Sequence, residues 1–191
     1  MTERVPTALE LRQARRRTLA DVVQDRLRVL FCGINPGLYS AAVGHHFGRP
    51  GNRFWKALHG AGFTPRLFSP FEDAALLAHG LGITNLCART TARAEELRPA
   101  ELARGADVLA AKAARYRPHV VAVLGIGAYR RAFSRPRAAL GLQEEEVGGR
   151  RVWVLPNPSG LNAHYGLAEL TRHFRGLRDW VEVDVLETRP S

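Results

Sequence analysis

Cysteine is scarce in this chain, and its scarcity excludes several kinds of site. The 191 residues contain two cysteines, Cys32 and Cys87. Two thiolates are too few for a four-cysteine iron–sulfur cluster or a cysteine-rich zinc site, and they do not indicate a secreted, disulfide-bonded protein. Because Cys32 lies in an apolar run, we expect its thiol in the core. We expect no metal and no other cofactor.

Long apolar runs are also missing. No stretch approaches the roughly 20 apolar residues that a membrane-spanning helix needs, and the N-terminus lacks the apolar core of a signal peptide. The sequence therefore predicts a cytoplasmic protein without a membrane partner, associated with the nucleoid if it is bacterial.

Acidic side chains are outnumbered by basic ones. Asp and Glu total 18 against 28 Lys and Arg, which gives a formal net charge of +10. Such a balance favours a polyanionic partner, because neutralisation of phosphates dominates affinity for nucleic acids. A generally basic proteome is the alternative explanation. The chain length favours one domain, and we expect a monomer.

Apolar runs of strand length alternate with helical patterns along the chain. Strands alternating with helices predict an α/β fold, namely a three-layer αβα architecture with a short, mainly parallel central sheet. We expect a basic, helical N-terminal extension over residues 1–26, a single domain over 27–183 and a frayed tail over 184–191. The segments Gln143–Val147 and Arg151–Leu155 read as a hairpin turned by two glycines. The predicted buried strands are Leu27–Cys32, Leu81–Leu86, His119–Leu124 and Arg151–Leu155.

The first apolar run ends in Gly33-Ile34-Asn35-Pro36-Gly37. Proline lacks a backbone N–H and the flanking glycines permit tight geometry, so the strand should stop there. Asn35 should then lie in a loop at the carboxyl end of the strand, where open α/β sheets bind ligands. A turn in which Asn35 only caps the backbone is the alternative.

A second strand, Arg151–Leu155, runs into a similar asparagine–proline corner at Asn157-Pro158. If the two strands are parallel neighbours, both corners lie over one cleft. Between the corners, the stretch Leu38–Gly51 reads as a long loop of the kind that is usually functional. It contains His45 and His46, whose adjacency does not match the spacing of a helical metal-binding pair.

Four segments together resemble a known family. They are Gly33–Gly37, Phe47, Asn52–Lys56 and the sequence VWVLPNPSGL that ends at Leu161. They resemble motifs of the mismatch-specific uracil/thymine-DNA glycosylases, a branch of the uracil-DNA glycosylase superfamily, over roughly residues 27–180. The resemblance implies a uracil-DNA glycosylase-like fold and a double-stranded DNA partner that contains uracil or a mismatch. It also implies a monofunctional enzyme that flips uracil out of DNA and hydrolyses its N-glycosidic bond.

The resemblance also assigns roles to individual residues. Asn35 is expected to orient the attacking water, since a neutral amide has no useful basicity. Phe47 is expected to stack on the extruded base, and Leu161 to enter the duplex where the base has left. The expected base pocket comprises Ile34, Gly37, Ser40, Phe47 and Asn85. The expected DNA wedge and opposite-strand contacts are Asn157, Ser159, Gly160, Leu161 and Asn162.

Two positions depart from the mismatch-specific pattern. Asn85 stands where close relatives often have lysine, and resembles the uracil-reading asparagine of other branches of the superfamily. The sequence after Asn162, which includes His164, also resembles other branches. We therefore expect uracil removal from G·U pairs and from other contexts as well. A catalytically silent damaged-DNA-binding module and a small-molecule nucleoside hydrolase are the competing functions.

Overall fold

A five-stranded sheet forms the centre of the molecule. The computed structural model describes residues 5–187, and the strand order across the sheet is β2-β1-β3-β5-β4. Every neighbouring pair is parallel except β4 with β5, which is antiparallel. The strands are β1 (Val29–Gly33), β2 (Leu81–Asn85), β3 (Val120–Leu124), β4 (Gly141–Leu142) and β5 (Arg151–Leu155).

Helices cover both faces of this sheet. The α-helices are α1 (Ala8–Gln13), α2 (Leu38–Val43), α3 (Phe54–Gly60), α4 (Pro99–Tyr116), α5 (Ile126–Ala132) and α6 (Leu167–Glu187). Three 3-10 helices within the described residues span Ala14–Arg16, Pro70–His79 and Ala94–Glu96. Core residues of α3 and α6 pack against one face of the sheet, while those of α4 and α5 pack against the other. The predicted α/β class with a short, mainly parallel sheet is confirmed.

The burial of the strands explains why they could be recognised in the sequence as unbroken apolar runs. All five residues of β1 are buried, as are all five of β3, because parallel strands covered by helices on both faces have no solvent face. Phe31 of β1 stacks on Phe174 at 5.9 Å and contacts the edge of Phe54 at 5.4 Å, measured between ring centroids. Its neighbour Cys32 points to the opposite face, where burial raises the pKa of the thiol.

Two segments differ from the sequence predictions. Leu38–Val43, expected to be part of a loop, forms helix α2, which begins after Gly37 and ends at Gly44 with a φ of 80°. The predicted hairpin is also displaced in the structure: β5 pairs with Gly141–Leu142, and within the expected strand Gln143–Val147 the Gln143 N–H donates to the Val152 carbonyl at 2.8 Å. A single bridge between Val147 and Arg150 closes the glycine turn.

The N-terminal extension is helical only in its first part. Between Arg16 and the start of β1 at Val29 the chain forms no helix. Within this segment Val22 forms an antiparallel bridge with Ile83 on the edge strand β2. The Thr90 hydroxyl donates to the Arg17 carbonyl at 2.6 Å, which ties the extension to the loop after β2. At the other end, α6 continues to Glu187, past the expected start of fraying, and residues 188–191 lie outside the described chain.

Candidate active site

The carboxyl ends of the three central strands form one edge that brings the two asparagine–proline corners together. Asn35 follows β1 and Asn157 follows β5, while Gly125 follows β3 between them. A Cβ placed on Gly125 would lie 3.3 Å from Ile34 Cδ1 and 3.7 Å from Asn157 Cβ. The two corners therefore lie on either side of Gly125, and the absence of a side chain there allows them to approach each other.

The side-chain amide of Asn35 is held in one orientation. Its Nδ2 donates to the Arg89 carbonyl at 2.9 Å, to Thr91 Oγ1 at 2.7 Å and to the Pro36 carbonyl at 3.3 Å. Carbonyl oxygens can only accept, so the group that faces them must be the NH₂ end of the amide. No described residue donates to Asn35 Oδ1, which is left as an acceptor in a half-buried position.

The backbone of the first corner is paired with the segment after β2. The carbonyls of Gly33 and Ile34 each accept from a backbone N–H in that segment at 2.9 Å, and Pro36 accepts from Thr91 at 3.2 Å. Gly37 continues the pairing as a parallel bridge to Thr91. This ladder makes the loop rigid, so Asn35 sits on a fixed backbone.

Phe47, Asn85 and Gly33 meet beside this corner. A Cβ on Gly33 would lie 2.5 Å from Asn85 Oδ1 and 3.4 Å from Phe47 Cζ. The Phe47 ring stacks on Phe54 of α3 at a centroid distance of 4.1 Å, and its backbone has a φ of 52°, an uncommon conformation for an aromatic residue. The Phe47 ring and the Asn85 amide therefore face the same small space next to Gly33.

His46 is buried and contacts the amide of Asn85. Its Nε2 lies 2.9 Å from the Ala20 carbonyl, and its Nδ1 lies 3.4 Å from Asn85 Nδ2. Burial lowers the pKa of His46 below its ordinary 6.5, which favours the neutral ring. Since a carbonyl only accepts, Nε2 carries the proton, and Nδ1 is left to accept from Asn85 Nδ2. The N-terminal extension thus fixes the tautomer of a histidine that contacts Asn85.

Other polar groups hold the segment that leads to Phe47. The Ser40 hydroxyl is buried and accepts from the Gly48 N–H at 3.1 Å. Asp73 accepts from the His46 backbone N–H and lies 3.1 Å from His45 Nδ1. Ser40 therefore acts on the backbone next to Phe47, and His45 pairs with a carboxylate rather than facing the Asn35 loop.

A cleft of about 430 Å³ has Phe47 in its wall. Its walls include aromatic side chains and two exposed cations, Arg49 and Lys56. Neither cation forms an ion pair with any residue between 5 and 187. The cleft therefore combines flat apolar surfaces with unpaired positive charge, a combination that suits stacked bases and phosphates.

The second corner forms a tightly hydrogen-bonded loop. Asn157 Oδ1 accepts from the Ser159 N–H at 3.0 Å, and the Asn157 carbonyl accepts from Asn162 Nδ2 at 2.9 Å. Ser159 Oγ in turn accepts from the Leu161 N–H at 3.3 Å. Leu161 stands at the tip with 63% of its surface exposed. Leu161 therefore presents a branched apolar side chain mainly to solvent from a polar loop.

Arg53, which precedes α3, joins this loop to the body of the protein. Its guanidinium donates to the carbonyls of Ser159 at 2.5 Å, Asn162 at 2.7 Å and Tyr165, and its backbone N–H donates to Pro158 at 3.0 Å.

Sequence reasoning missed the contributions of three residues. Thr91 lies in a polar stretch without a motif, Arg53 lies inside a recognised motif but was given no role, and His46 was left without an assignment. In the described residues, no three His, Cys, Asp or Glu side chains are grouped so as to hold a metal ion, and no helix there is long and apolar enough to cross a membrane.

Comparison with known proteins gives two findings. A family model described as the uracil DNA glycosylase superfamily matches residues 20–181. A protein of Methanosarcina acetivorans, a candidate uracil DNA glycosylase whose structure was solved by solution NMR, matches with a TM-score of 0.55 at 18% identity. That match covers 85% of this chain and 98% of the archaeal one, and it bears out the predicted fold.

Proposed function

The chain belongs to the uracil-DNA glycosylase superfamily, and from that premise we propose that it removes uracil from DNA by hydrolysing the N-glycosidic bond. The observation that carries the proposal is the fixed amide of Asn35, whose Nδ2 is engaged by the protein and whose Oδ1 is not. That oxygen accepts a hydrogen bond from a water and directs it at C1′ of the sugar. An abasic site and free uracil are the products.

The proposed step needs no strong base. The bond between N1 of uracil and C1′ breaks first, the electron pair leaves with the base, and the sugar becomes cation-like. The water held by Asn35 then adds to C1′ and loses a proton to solvent, while the uracil anion takes one up. An electrophile of that kind needs a positioned nucleophile rather than an activated one. Because Asn157 offers no acid to the departing base, we expect modest turnover.

The extruded base would stack on Phe47 and present its polar edge to Asn85. Access to the bond requires extrusion, and extrusion is easiest from a mismatch because unpairing is then cheapest. The ring of Phe47 is supported from behind by Phe54, so the stacking surface is firm. An amide both donates and accepts, which matches the N3–H and O4 of uracil. Ile34 and Gly37 would bound the pocket from the first loop, and Ser40 would support it through Gly48.

The second loop supplies the contacts to the duplex. Leu161, exposed and held outward, would fill the space that the base leaves. Gly160 and Asn162 would offer backbone groups to the opposite guanine, with Asn157 and Ser159 shaping the loop from within. The unpaired cations Arg49 and Lys56 beside Phe47 favour phosphates. This loop separates the proposal from a nucleoside hydrolase, which would not require an exposed apolar tip.

Alkaline cleavage of abasic sites tests the function directly. The protein is incubated with labelled duplexes that contain G·U, A·U or G·T pairs and with a uracil-containing single strand, and the strands are then cleaved with alkali. We propose that G·U is the best substrate and that A·U and single-stranded uracil are also processed. Binding without cleavage on every substrate would indicate the silent DNA-binding module instead. Release of base from free nucleosides alone would indicate a nucleoside hydrolase.

A further inference from the structure

The loop that carries Leu161 follows β5 and is hydrogen-bonded within itself. The hydrogen bonds among Asn157, Ser159, Leu161 and Asn162 are local and set only its curvature. A loop with local bonds alone keeps its shape but can swing as a unit about its ends. Its direction must therefore come from contacts with other parts of the chain.

Arg53 supplies most of those contacts. Its guanidinium reaches across more than 100 residues of sequence to three carbonyls of the loop, those of Ser159, Asn162 and Tyr165. The Arg53 backbone N–H adds a fourth bond to Pro158. The planar fork of a guanidinium can hold several acceptors in a fixed arrangement, which an ammonium group cannot reproduce. Hydrogen bonds from a charged donor are also stronger than neutral ones.

The environment of Arg53 favours a role in holding the Leu161 loop over a role in binding phosphate. The side chain is half-buried, no described carboxylate pairs with it, and its Nε is buried without a hydrogen-bond partner. Gly160 lies so close to the Gly51 carbonyl that an added Cβ would be 2.6 Å from that oxygen. The loop is therefore seated on the segment just before α3, and the Arg53 guanidinium is directed into the protein.

The same segment also supports the stacking ring. Phe54, the residue after Arg53, is the first residue of α3 and stacks on Phe47. One short piece of backbone thus supports both the surface for the extruded base and the loop whose tip would replace that base. We propose that Arg53 is a positioning residue that holds the Leu161 loop in register with the base pocket, so that extrusion of the base and insertion of Leu161 occur together. This inference rests on the function proposed above.

Base extrusion, rather than cleavage, is the appropriate measurement. A duplex with a G·U pair and 2-aminopurine next to the uracil gains fluorescence when the uracil leaves the stack. The experiment is run in an Asn35→Ala background, so that the uracil is retained. Arg53→Met removes the guanidinium and keeps the aliphatic stem. Arg175→Met is the matched control, because Arg175 is exposed, also donates to a carbonyl, that of Gly60 at 2.9 Å, and does not touch the loop. Both changes remove one positive charge.

We expect Arg53→Met to lower the extrusion equilibrium by at least about tenfold, which is the effect of losing even one of its three charge-assisted hydrogen bonds. Leu161→Ala should lower it similarly, and the Arg53→Met/Leu161→Ala double variant should show little further loss, because both changes disable the same wedge. Arg175→Met should extrude the base as the parent does. A purely structural role for Arg53 would instead lower the melting temperature and give effects that add to those of Leu161→Ala.

Three results would overturn the inference. If Arg53→Met extrudes the base as well as Arg175→Met does, Arg53 has no part in extrusion. If the losses of Arg53→Met and Leu161→Ala add up in the double variant, Arg53 does not act through Leu161. If Arg53→Met does not fold, Arg53→Lys is measured in its place. That variant keeps the charge without the fork, so an extrusion equilibrium equal to the parent's would also refute the inference. A parent protein that gives no fluorescence change with any uracil duplex would contradict the proposed function itself.

Discussion

Replacing Asn35 gives the most direct test of how the site would work. Nδ2 of this side chain is engaged by Arg89, Thr91 and Pro36, so the amide cannot turn without leaving two carbonyl oxygens opposite its own oxygen. The proposed role of Oδ1 in binding the water would therefore depend on the donor end of the same amide. Asn35→Ala removes both ends, whereas Asn35→Asp keeps the shape and removes only the donor.

The magnitude follows from what each change removes. Loss of one preorganised polar group at a reacting centre costs about 10²–10³-fold in rate, or about 2.7–4 kcal/mol, and we expect Asn35→Ala to slow the single-turnover rate on G·U duplexes by that amount. Asn35→Asp should be comparably slow, because its carboxylate would face the carbonyls of Arg89 and Pro36. Thr91→Val removes one of three anchors, worth about 0.5–1.5 kcal/mol, so a loss of about 3- to 10-fold is expected, and Thr91→Ser should recover most of it.

Single-turnover cleavage with excess enzyme, read by alkali treatment, separates the chemical step from product release. Affinity for a G·U duplex is measured in parallel and should change little for Asn35→Ala, because the side chain is proposed to act on the water rather than on the phosphates. A wild-type rate for Asn35→Ala would exclude the residue from the reaction. A fast Asn35→Asp would show that the position works as a base, and the positioning argument would fail.

Three further changes test the pocket and its support. In Gly33→Ala the new Cβ would lie 2.5 Å from Asn85 Oδ1 and would displace that amide. The rate of uracil cleavage should therefore fall about 10²-fold, while the melting temperature stays within a few degrees. Unchanged kinetics would mean that Asn85 does not contact the base. Phe47→Ala should lower kcat/KM about 5- to 150-fold, equivalent to the roughly 1–3 kcal/mol of base–aromatic stacking, and Phe47→Tyr should retain most of it. Because burial lowers the pKa of His46 from its ordinary 6.5, the unfolded chain binds a proton there before the folded protein does, so the free energy of unfolding should fall as the pH drops below that value. Urea unfolding measured above and below pH 6.5 should show that the free energy of unfolding depends less on pH in His46→Gln than in the wild type. An equal pH dependence in the two proteins would assign the acid sensitivity to other groups.

The sheet could be predicted from sequence because its strands are buried on both faces. Val29–Gly33 and Val120–Leu124 are unbroken apolar runs ended by glycine, and such runs in an alternating α/β pattern leave few choices of topology. The shared edge for Asn35 and Asn157 follows from that topology alone. Helix α2 was missed because its six residues are too few to show a helical period, and the loop that contains it lacks an apolar stripe.

The supporting contacts could not be read from the sequence, because they join distant residues without any periodic signal. Arg53 reaches residues more than 100 positions away, and Thr91 is 56 positions from Asn35. The contact between His46 and the Ala20 carbonyl requires the extension to pass beside β2, whereas the sequence predicted a basic helix there. Hydrophobic patterns report burial, but they carry no information on which polar groups meet once the chain is folded.

The direction of the Asn85 amide would determine which pyrimidine the proposed pocket accepts. One N–H of Asn85 points to Nδ1 of His46, and His46 is oriented by a carbonyl that cannot change its role. The amide therefore presents its remaining N–H and its oxygen in a set order, which in the proposed pocket would suit the acceptor and donor of uracil and oppose the donor and acceptor of cytosine. Protonation of His46 would remove the acceptor at Nδ1 and favour the reversed amide. The N-terminal extension, through Ala20, would then belong to the specificity of the site as well as to its stability.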